Sequence, residues 1–259
     1  MNAPHPSAPR GSALRVEGLG LQIGGATILQ DVDLDVAAGS LVGVIGPNGA
    51  GKTTLFNVIS GLVKPTSGRI LLDDRDVTSA SVPARARAGL GRTFQTSSLF
   101  PKLTVLENVR LAAQVSIGGD YSLFRFPQRT DAATRLAREK LEAVGLGHKA
   151  DALAGDISHG DKRKLEIAVL LATEASLVLL DEPMAGVASG DVSGLVESIR
   201  EMQREKGCTV LMVEHHIDVL MGLVDKVAVM YFGTIIAFDT PQNVMANPTV
   251  QSAYLGTAA

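Results

Sequence analysis

The chain has 259 residues, with 24 Lys plus Arg against 27 Asp plus Glu, for a formal net charge of −3. Apolar residues make up 46% and charged residues 20%, enough for one large domain or a core with a subdomain, and the charge balance lacks the basic excess of a bulk nucleic-acid binder. The single cysteine, Cys208, rules out an intrachain disulfide and fits a reducing compartment, and the greasiest stretch, Val227 to Phe238, is interrupted by Gly233 and Thr234, short of the roughly 18 apolar residues a membrane span needs.

Residues 1–12, MNAPHPSAPRGS, carry early prolines and no apolar h-region. They read as a disordered lead rather than a signal peptide. Leu14 to Ile23 alternates as a strand, and Ile28 to Val36 gives a second, closed by the Ala37-Ala38-Gly39 turn. Leu41 to Ile45 is a short continuous apolar run rich in β-branched residues, as expected for a strand buried on both faces. A glycine-rich turn leads into a helix over Lys52 to Leu62, and Arg69 to Leu72 reads as an edge strand before Asp73-Asp74. From Ala84 to Thr173 the pattern becomes helical, notably over Leu103 to Ala113 and Asp131 to Val144, with a loop around Gly118-Gly119 between them. A second buried run, Leu177 to Leu180, ends at Asp181. Helix Val192 to Glu205, strand Thr209 to Val213, helix Ile217 to Leu223 and strand Lys226 to Tyr231 follow. Strands alternating with helices predict an α/β core with a parallel sheet. From Pro241 a short helix and cap are expected.

Gly46-Pro47-Asn48-Gly49-Ala50-Gly51-Lys52-Thr53 fits G-x-x-x-x-G-K-[ST] and lies between a buried strand and a helix. The glycines let main-chain N–H groups curl around an anion, and the helix N-terminus adds its positive end. Lys52 is then the cation for the β- and γ-phosphates of a nucleotide, the Thr53 hydroxyl is a Mg²⁺ ligand, and Thr54 lies beside them. The blander reading is a tight turn with a chance lysine, which eight matching positions with the right flanks disfavour. Asp181 and Glu182 sit at the C-terminal end of a buried strand, where ligands gather in open α/β sheets. Asp181 is placed to orient Mg²⁺ through a water, and Glu182 to polarise the water that attacks the γ-phosphate. Alone, the pair reads equally well as surface acids ending a strand.

Three further segments complete an ordered set. Arg92-Thr93-Phe94-Gln95 precedes Leu99 to Val109, Ile157-Ser158-His159-Gly160-Asp161 opens a helix, and Val213-Glu214-His215 follows a strand. Phosphate loop, Gln loop, signature segment, Asp-Glu and switch histidine, in that order over Leu14 to Gly256, resemble the ATP-binding subunit of an ABC transporter. GPNGAGKTTLFN (Gly46 to Asn57), Leu165 to Ala168, Ala185-Gly186 and Ala253-Tyr254-Leu255-Gly256 resemble the branched-chain amino acid importer ATPases, with urea and amide importer ATPases close behind.

The resemblance implies a P-loop NTPase (RecA-like) α/β core with an antiparallel β edge subdomain. It places the ATP-binding domain over 13–240, a helical subdomain inserted at about 88–175, and a C-terminal helix and tail over 241–259. It implies that Gln95 contacts Mg²⁺ or the attacking water, where a plain reading makes it a loop amide. It implies that Ser158 and Gly160 contact the γ-phosphate held by a second protomer, and that His215 bonds the γ-phosphate and steadies Glu182. His215 also reads as an ordinary strand-end histidine or, with His216, as a metal pair, but adjacent residues on an extended chain face opposite ways. The implied cofactors are ATP and Mg²⁺. The implied partners are integral-membrane permease subunits, a second ATP-binding subunit of the same or a different kind, and indirectly an extracytoplasmic solute-binding protein, with no nucleic acid. The implied place is peripheral, on the cytoplasmic face of the cell membrane, and the implied work is uptake of a small polar solute. An ATP-binding regulatory module with little turnover stays open, whereas a channel-free ABC-type ATPase needs two modules or a long coiled coil that 259 residues do not hold.

Three positions depart from that family pattern. Ile23 stands where an aromatic residue stacks on adenine, a contact of about 1–3 kcal/mol in other settings. Asp161 replaces a glutamine at the end of the signature, where its charge is expected to oppose a partner's γ-phosphate, although Ser158 and Asp161 also read as a helix-capping pair. Ala188 replaces an Asn or Asp in the loop after Glu182, which puts communication across a dimer in doubt.

Overall fold

The computed structural model describes residues 11–93, 99–117 and 132–255. Most of the N-terminal lead, the Phe94 and Gln95 positions, the Gly118-Gly119 loop, Asp131 and Gly256 lie outside the described residues.

In chain order the elements are β1 (Ser12–Ile23), β2 (Ala26–Ala37), β3 (Leu41–Ile45), α1 (Lys52–Ile59), β4 (Ser67–Leu72), β5 (Arg75–Asp76), α2 (Val82–Arg87), β6 (Leu90–Arg92), α3 (Val105–Ser116) and α4 (Ala132–Ala143). After a single 3-10 turn at Gly147–Lys149 come α5 (His159–Ala172), β7 (Leu177–Asp181), α6 (Ser189–Lys206), β8 (Thr209–Val213), α7 (Ile217–Met221), β9 (Lys226–Tyr231), β10 (Thr234–Asp239), α8 (Pro241–Ala246) and α9 (Pro248–Leu255). Among the described residues the strands form two sheets, an antiparallel one in the order β2-β1-β4-β5 and a six-stranded one in the order β10-β9-β3-β8-β7-β6. In the second sheet β9, β3, β8, β7 and β6 run parallel, and only β10 is antiparallel.

The continuous apolar runs have a direct cause: the parallel sheet is covered on both faces. Val42, Val44, Leu177, Leu179, Leu211, Val213, Ala228 and Met230 enter the core beneath the antiparallel sheet and α1. The alternate residues Leu41, Ile45, Val178, Leu180, Val210, Met212, Val227 and Val229 enter the core beneath the helices. Side chains alternate across a strand, so burial on both sides requires apolar residues at every position.

Several boundaries differ from the expected ones. Helix α1 stops at Ile59, capped by Ser60, and the chain turns at Gly61 with φ +83°. Leu90–Arg92 pairs in parallel with Leu177–Leu179, so this part of the stretch expected to be helical belongs to the core sheet. The helices beyond it pack on one another, α3 against α4 and α5, and α5 against α6. The apolar run around Gly233 is a hairpin, in which Phe232 (φ +43°) and Gly233 (φ +80°) link paired Tyr231 and Thr234 in the type I′ manner that follows strand twist.

Three helix starts carry the side-chain cap that their sequence offers. Thr104 and Glu107 form a reciprocal capping box at α3, Ser158 caps α5 and Thr240 caps α8. Helix α6 begins on Ala188, whose extended backbone (φ −63°, ψ 144°) suits a cap but whose methyl supplies no acceptor. Ala188 is exposed, so an asparagine fits there. Ala188→Asn is expected to stabilise the fold by about 1 kcal/mol, read as a rise in melting temperature, and an unchanged melt counts against the capping account.

Candidate functional site

The site forms where β3, β7 and β8 end. After Ile45 the chain passes so close to β9 that a Cβ on Gly46 would lie 2.2 Å from the Met230 carbonyl oxygen, so only glycine fits. The loop then feeds α1, whose first-turn N–H groups have no intrahelical partners and favour an anion. Lys52 folds back over the loop, donating from Nζ to the carbonyl oxygens of Gly46 (2.7 Å) and Pro47 (3.0 Å). Burial pushes its ammonium pKa down, opposed by the nearby charges of Glu182 and Asp181. A bound phosphate would add further negative charge beside it and favour the cationic form.

A cleft of about 380 Å³ is lined by Ile28, Asn48, Gly49, Ala50, Gly51, Lys52, Thr53, Thr54, Glu182 and His215. Gly46 and Pro47 line a neighbouring cleft of about 230 Å³, with Asn48, Glu214 and His215. His215 Nε2 lies 3.0 Å from Glu182 Oε1, so the acid and the histidine expected to act together do meet. Glu182 sits at φ +50°, a left-handed conformation that costs energy for a non-glycine residue and is held only where the surroundings enforce it.

Asp181 is 1% exposed, and its Oδ2 accepts from Arg92 Nη2 at 3.0 Å. Thr93 Oγ1 accepts from the Asp181 main-chain N–H at 3.2 Å. Burial raises the Asp181 pKa; the Arg92 cation opposes this, and the Glu182 charge adds to it. Among the described residues Asp181 Oδ1 has no hydrogen-bond partner. An orphaned carboxylate oxygen suits a small hard cation and its waters, so the donor chemistry of Asp181, with the Thr53 hydroxyl in the cleft, fits Mg²⁺. Gln95, the remaining candidate ligand and catalytic residue, lies outside the described residues. Among the described residues no group of three or more His, Cys, Asp and Glu is arranged to hold a metal.

Not every sequence candidate reaches the cleft. Ile23 ends β1 at 56% exposure, pairs with Ala26 at the hairpin tip and does not line the cleft. The apolar side chain at that end is Ile28 of β2, which the spacing from the glycines did not single out. Ser158 and Gly160 lie at the start of α5, away from the lining of the same chain's cleft. Gly160 packs closely on α6, since a Cβ there would meet Asp191 Oδ2 at 2.9 Å. Asp161 is held by Lys149 Nζ and the Ser158 hydroxyl. Burial pushes its carboxyl up, but these two hydrogen bonds together with the charges of Lys149 and Lys164 outweigh it, and the pKa is lowered. With Lys149 as counter-charge, the like-charge argument against an approaching phosphate loses much of its force. Two residues escaped attention as individuals, Arg92 and Glu214, because Arg92 pairs with Asp181 of β7 and Glu214 with the Met184 amide in the loop after it, both distant in the chain.

The ABC transporter family model matches residues 29–185. The chain is 38% identical over 251 residues to the high-affinity branched-chain amino acid transport ATP-binding protein LivG of Escherichia coli K12, covering 95% of this chain and 98% of that protein. It is 35% identical over 245 residues to the lipopolysaccharide export system ATP-binding protein LptB of the same organism, again covering 95% and 98%. A crystal structure of an ATP-binding cassette of an ABC transporter in its ADP conformation matches with a TM-score of 0.82 at 32% identity, covering 95% of this chain and 99% of that one. With the phosphate loop, Glu182 and the histidine assembled around one cleft, the chain belongs to the ABC transporter family, as an ATP-binding subunit that hydrolyses ATP.

Proposed function

We propose that this subunit drives uptake of a small polar solute, in the first place branched-chain amino acids, with Glu182 as general base or water-positioning group and His215 as its steadying partner. The observation that carries the catalytic part is the 3.0 Å contact between His215 and Glu182 in a cleft shared with Lys52 and Thr53. The cleft amides and Lys52 bind the phosphates, and Lys52 meets the charge that builds on the γ-phosphoryl oxygens. Mg²⁺, held by Thr53 and through water by Asp181, supplies charge neutralisation when bound. The position of Ser158 and Gly160 outside their own chain's cleft supports a sandwich in which they face a second copy's nucleotide.

The uptake reading is supported by the 38% identity to LivG over 95% of the chain. The comparable 35% identity to LptB, an export-system protein, favours outward transport as the second reading. No described helix is long and apolar enough to cross a membrane; separate membrane subunits and a peripheral place belong to the same proposal, supported by the likeness to a transport ATP-binding protein. Co-purification with membrane subunits in vesicles, followed by ATP hydrolysis measured with and without each solute, tests the proposal. Stimulation by leucine, isoleucine or valine presented on the outer side supports it, and stimulation only by an inner-side substrate overturns it.

A further inference from the structure

We infer that Glu214 is a positioning residue for ATP hydrolysis, clamping the loop of Glu182 to the segment of His215. Glu214 follows the last residue of β8 and is 3% exposed. Its Oε1 accepts from the main-chain N–H of Met184 at 2.7 Å, and its Oε2 accepts from the main-chain N–H of His215 at 3.1 Å. The main-chain N–H of Glu182 donates to the Val213 carbonyl at 2.9 Å, and the ring of His215 returns to the Glu182 carboxylate.

These contacts close a cycle. It runs from the Glu182 side chain to the His215 ring, through the His215 main chain to the Glu214 carboxylate, and back through Met184 to Glu182. A carboxylate this deeply buried is costly unless its oxygens are hydrogen-bonded, and both are engaged here by loop amides. The two loops so joined are the ones that must hold their separation for the water-activating acid to stay in line. The positive φ of Glu182 is one that needs enforcement from outside, and amide bonds on either side of it, at Glu182 and Met184, provide that. Glu214 lines the neighbouring cleft rather than the one with Lys52 and Thr53, and both its carboxylate oxygens are engaged by loop amides, so its influence passes through Glu182 and His215.

This inference rests on the catalytic assignment of Glu182 and His215, and the test separates the two. Glu214→Gln keeps the volume but turns one acceptor into a donor, so one of the two amide bonds is lost. The full chain is expected to lose about tenfold in kcat, the scale of one positioning hydrogen bond, with ATP affinity unchanged within about twofold. Combined with His215→Ala, Glu214→Gln should add little further loss, because residues acting through one unit are not additive. Backbone amide exchange at Met184 and His215 should quicken in Glu214→Gln whether or not turnover is measured. Glu214→Asp, which keeps the charge but shortens the reach, should behave alike if the first variant folds poorly. Unchanged exchange at both amides, unchanged kcat, or a loss that adds fully to that of His215→Ala overturns the inference. If the wild-type chain turns ATP over and Glu182→Gln does not slow it, the catalytic assignment fails instead, while the exchange measurement still decides the clamp.

Discussion

Glu182→Gln is expected to lower ATP turnover by about two to four orders of magnitude, the usual contribution of a positioned general base, while the protein still retains nucleotide. Glutamine keeps the size of the side chain and a carbonyl oxygen for His215, so the 3.0 Å contact survives as a neutral hydrogen bond. What is lost is the basic carboxylate facing the cleft. The residues proposed to bind phosphate are separate: Lys52, Thr53 and the loop amides come from the start of α1, and Glu182 follows the end of β7. Lys52→Ala should therefore show the opposite pattern, weakening nucleotide retention first. Phosphate release in the steady state and equilibrium dialysis against magnesium and ATP distinguish the two. Turnover of Glu182→Gln within about threefold of wild type, inside the scatter of a mere geometric disturbance, removes Glu182 from the role.

How far such a site can be read from the chain depends on how local its chemistry is. The phosphate loop is legible because strand, turn and helix start are contiguous, and every property that makes it bind an anion lies within Gly46 to Thr53. Strands β3, β7 and β8 are legible because burial on both faces leaves unbroken apolar runs. Strand β6 is not, since three residues with Gly91 among them carry no period, and the pairing with β7 that makes them a strand comes from 87 positions on, from Leu90 to Leu177. The same distance hides Arg92: its segment is recognisable, but its ion pair with Asp181 joins residues 89 apart. Ile28 replaces Ile23 at the cleft because the glycines mark where the hairpin turns, not which side chain faces inward. Glu214 beside a histidine at a strand end reads as a surface acid until the loop after Glu182 is laid against it.

Arg85→Ala is expected to destabilise the chain by about 4 kcal/mol, near the upper end for a single substitution. Arg85 is 1% exposed and sits on α2, a six-residue helix. Its guanidinium donates to four main-chain carbonyls: Nη1 to Val58 (2.7 Å) and Ile59 (2.6 Å), Nη2 to Thr78 (2.9 Å) and Nε to Ala80 (3.2 Å). Two of these lie at the C-terminal end of α1, where a cation also meets the negative end of the helix. Arg92 reaches the same end, donating to the cap residue Ser60 at 2.7 Å. The helix whose N-terminus forms the phosphate site is thus fastened at its other end by two arginines. Burial lowers the Arg85 pKa, yet guanidinium stays protonated at any working pH, so the charge is always present and the carbonyls always need it. Alanine leaves a cavity and removes the guanidinium from all four acceptors in a place water reaches poorly, with Val58 keeping the Gly61 N–H, and the two costs add. At about 2–4 °C per kcal/mol for a chain of this size, the melting temperature should fall by roughly 10 °C in calorimetry. Arg87→Ala, on the exposed side of the same helix, should shift it by about 2 °C at most. Lysine at position 85 should recover only part of the loss, because one ammonium cannot span carbonyls arranged for a planar fork; full recovery by lysine would show that charge alone, not the fork, holds α1 in place.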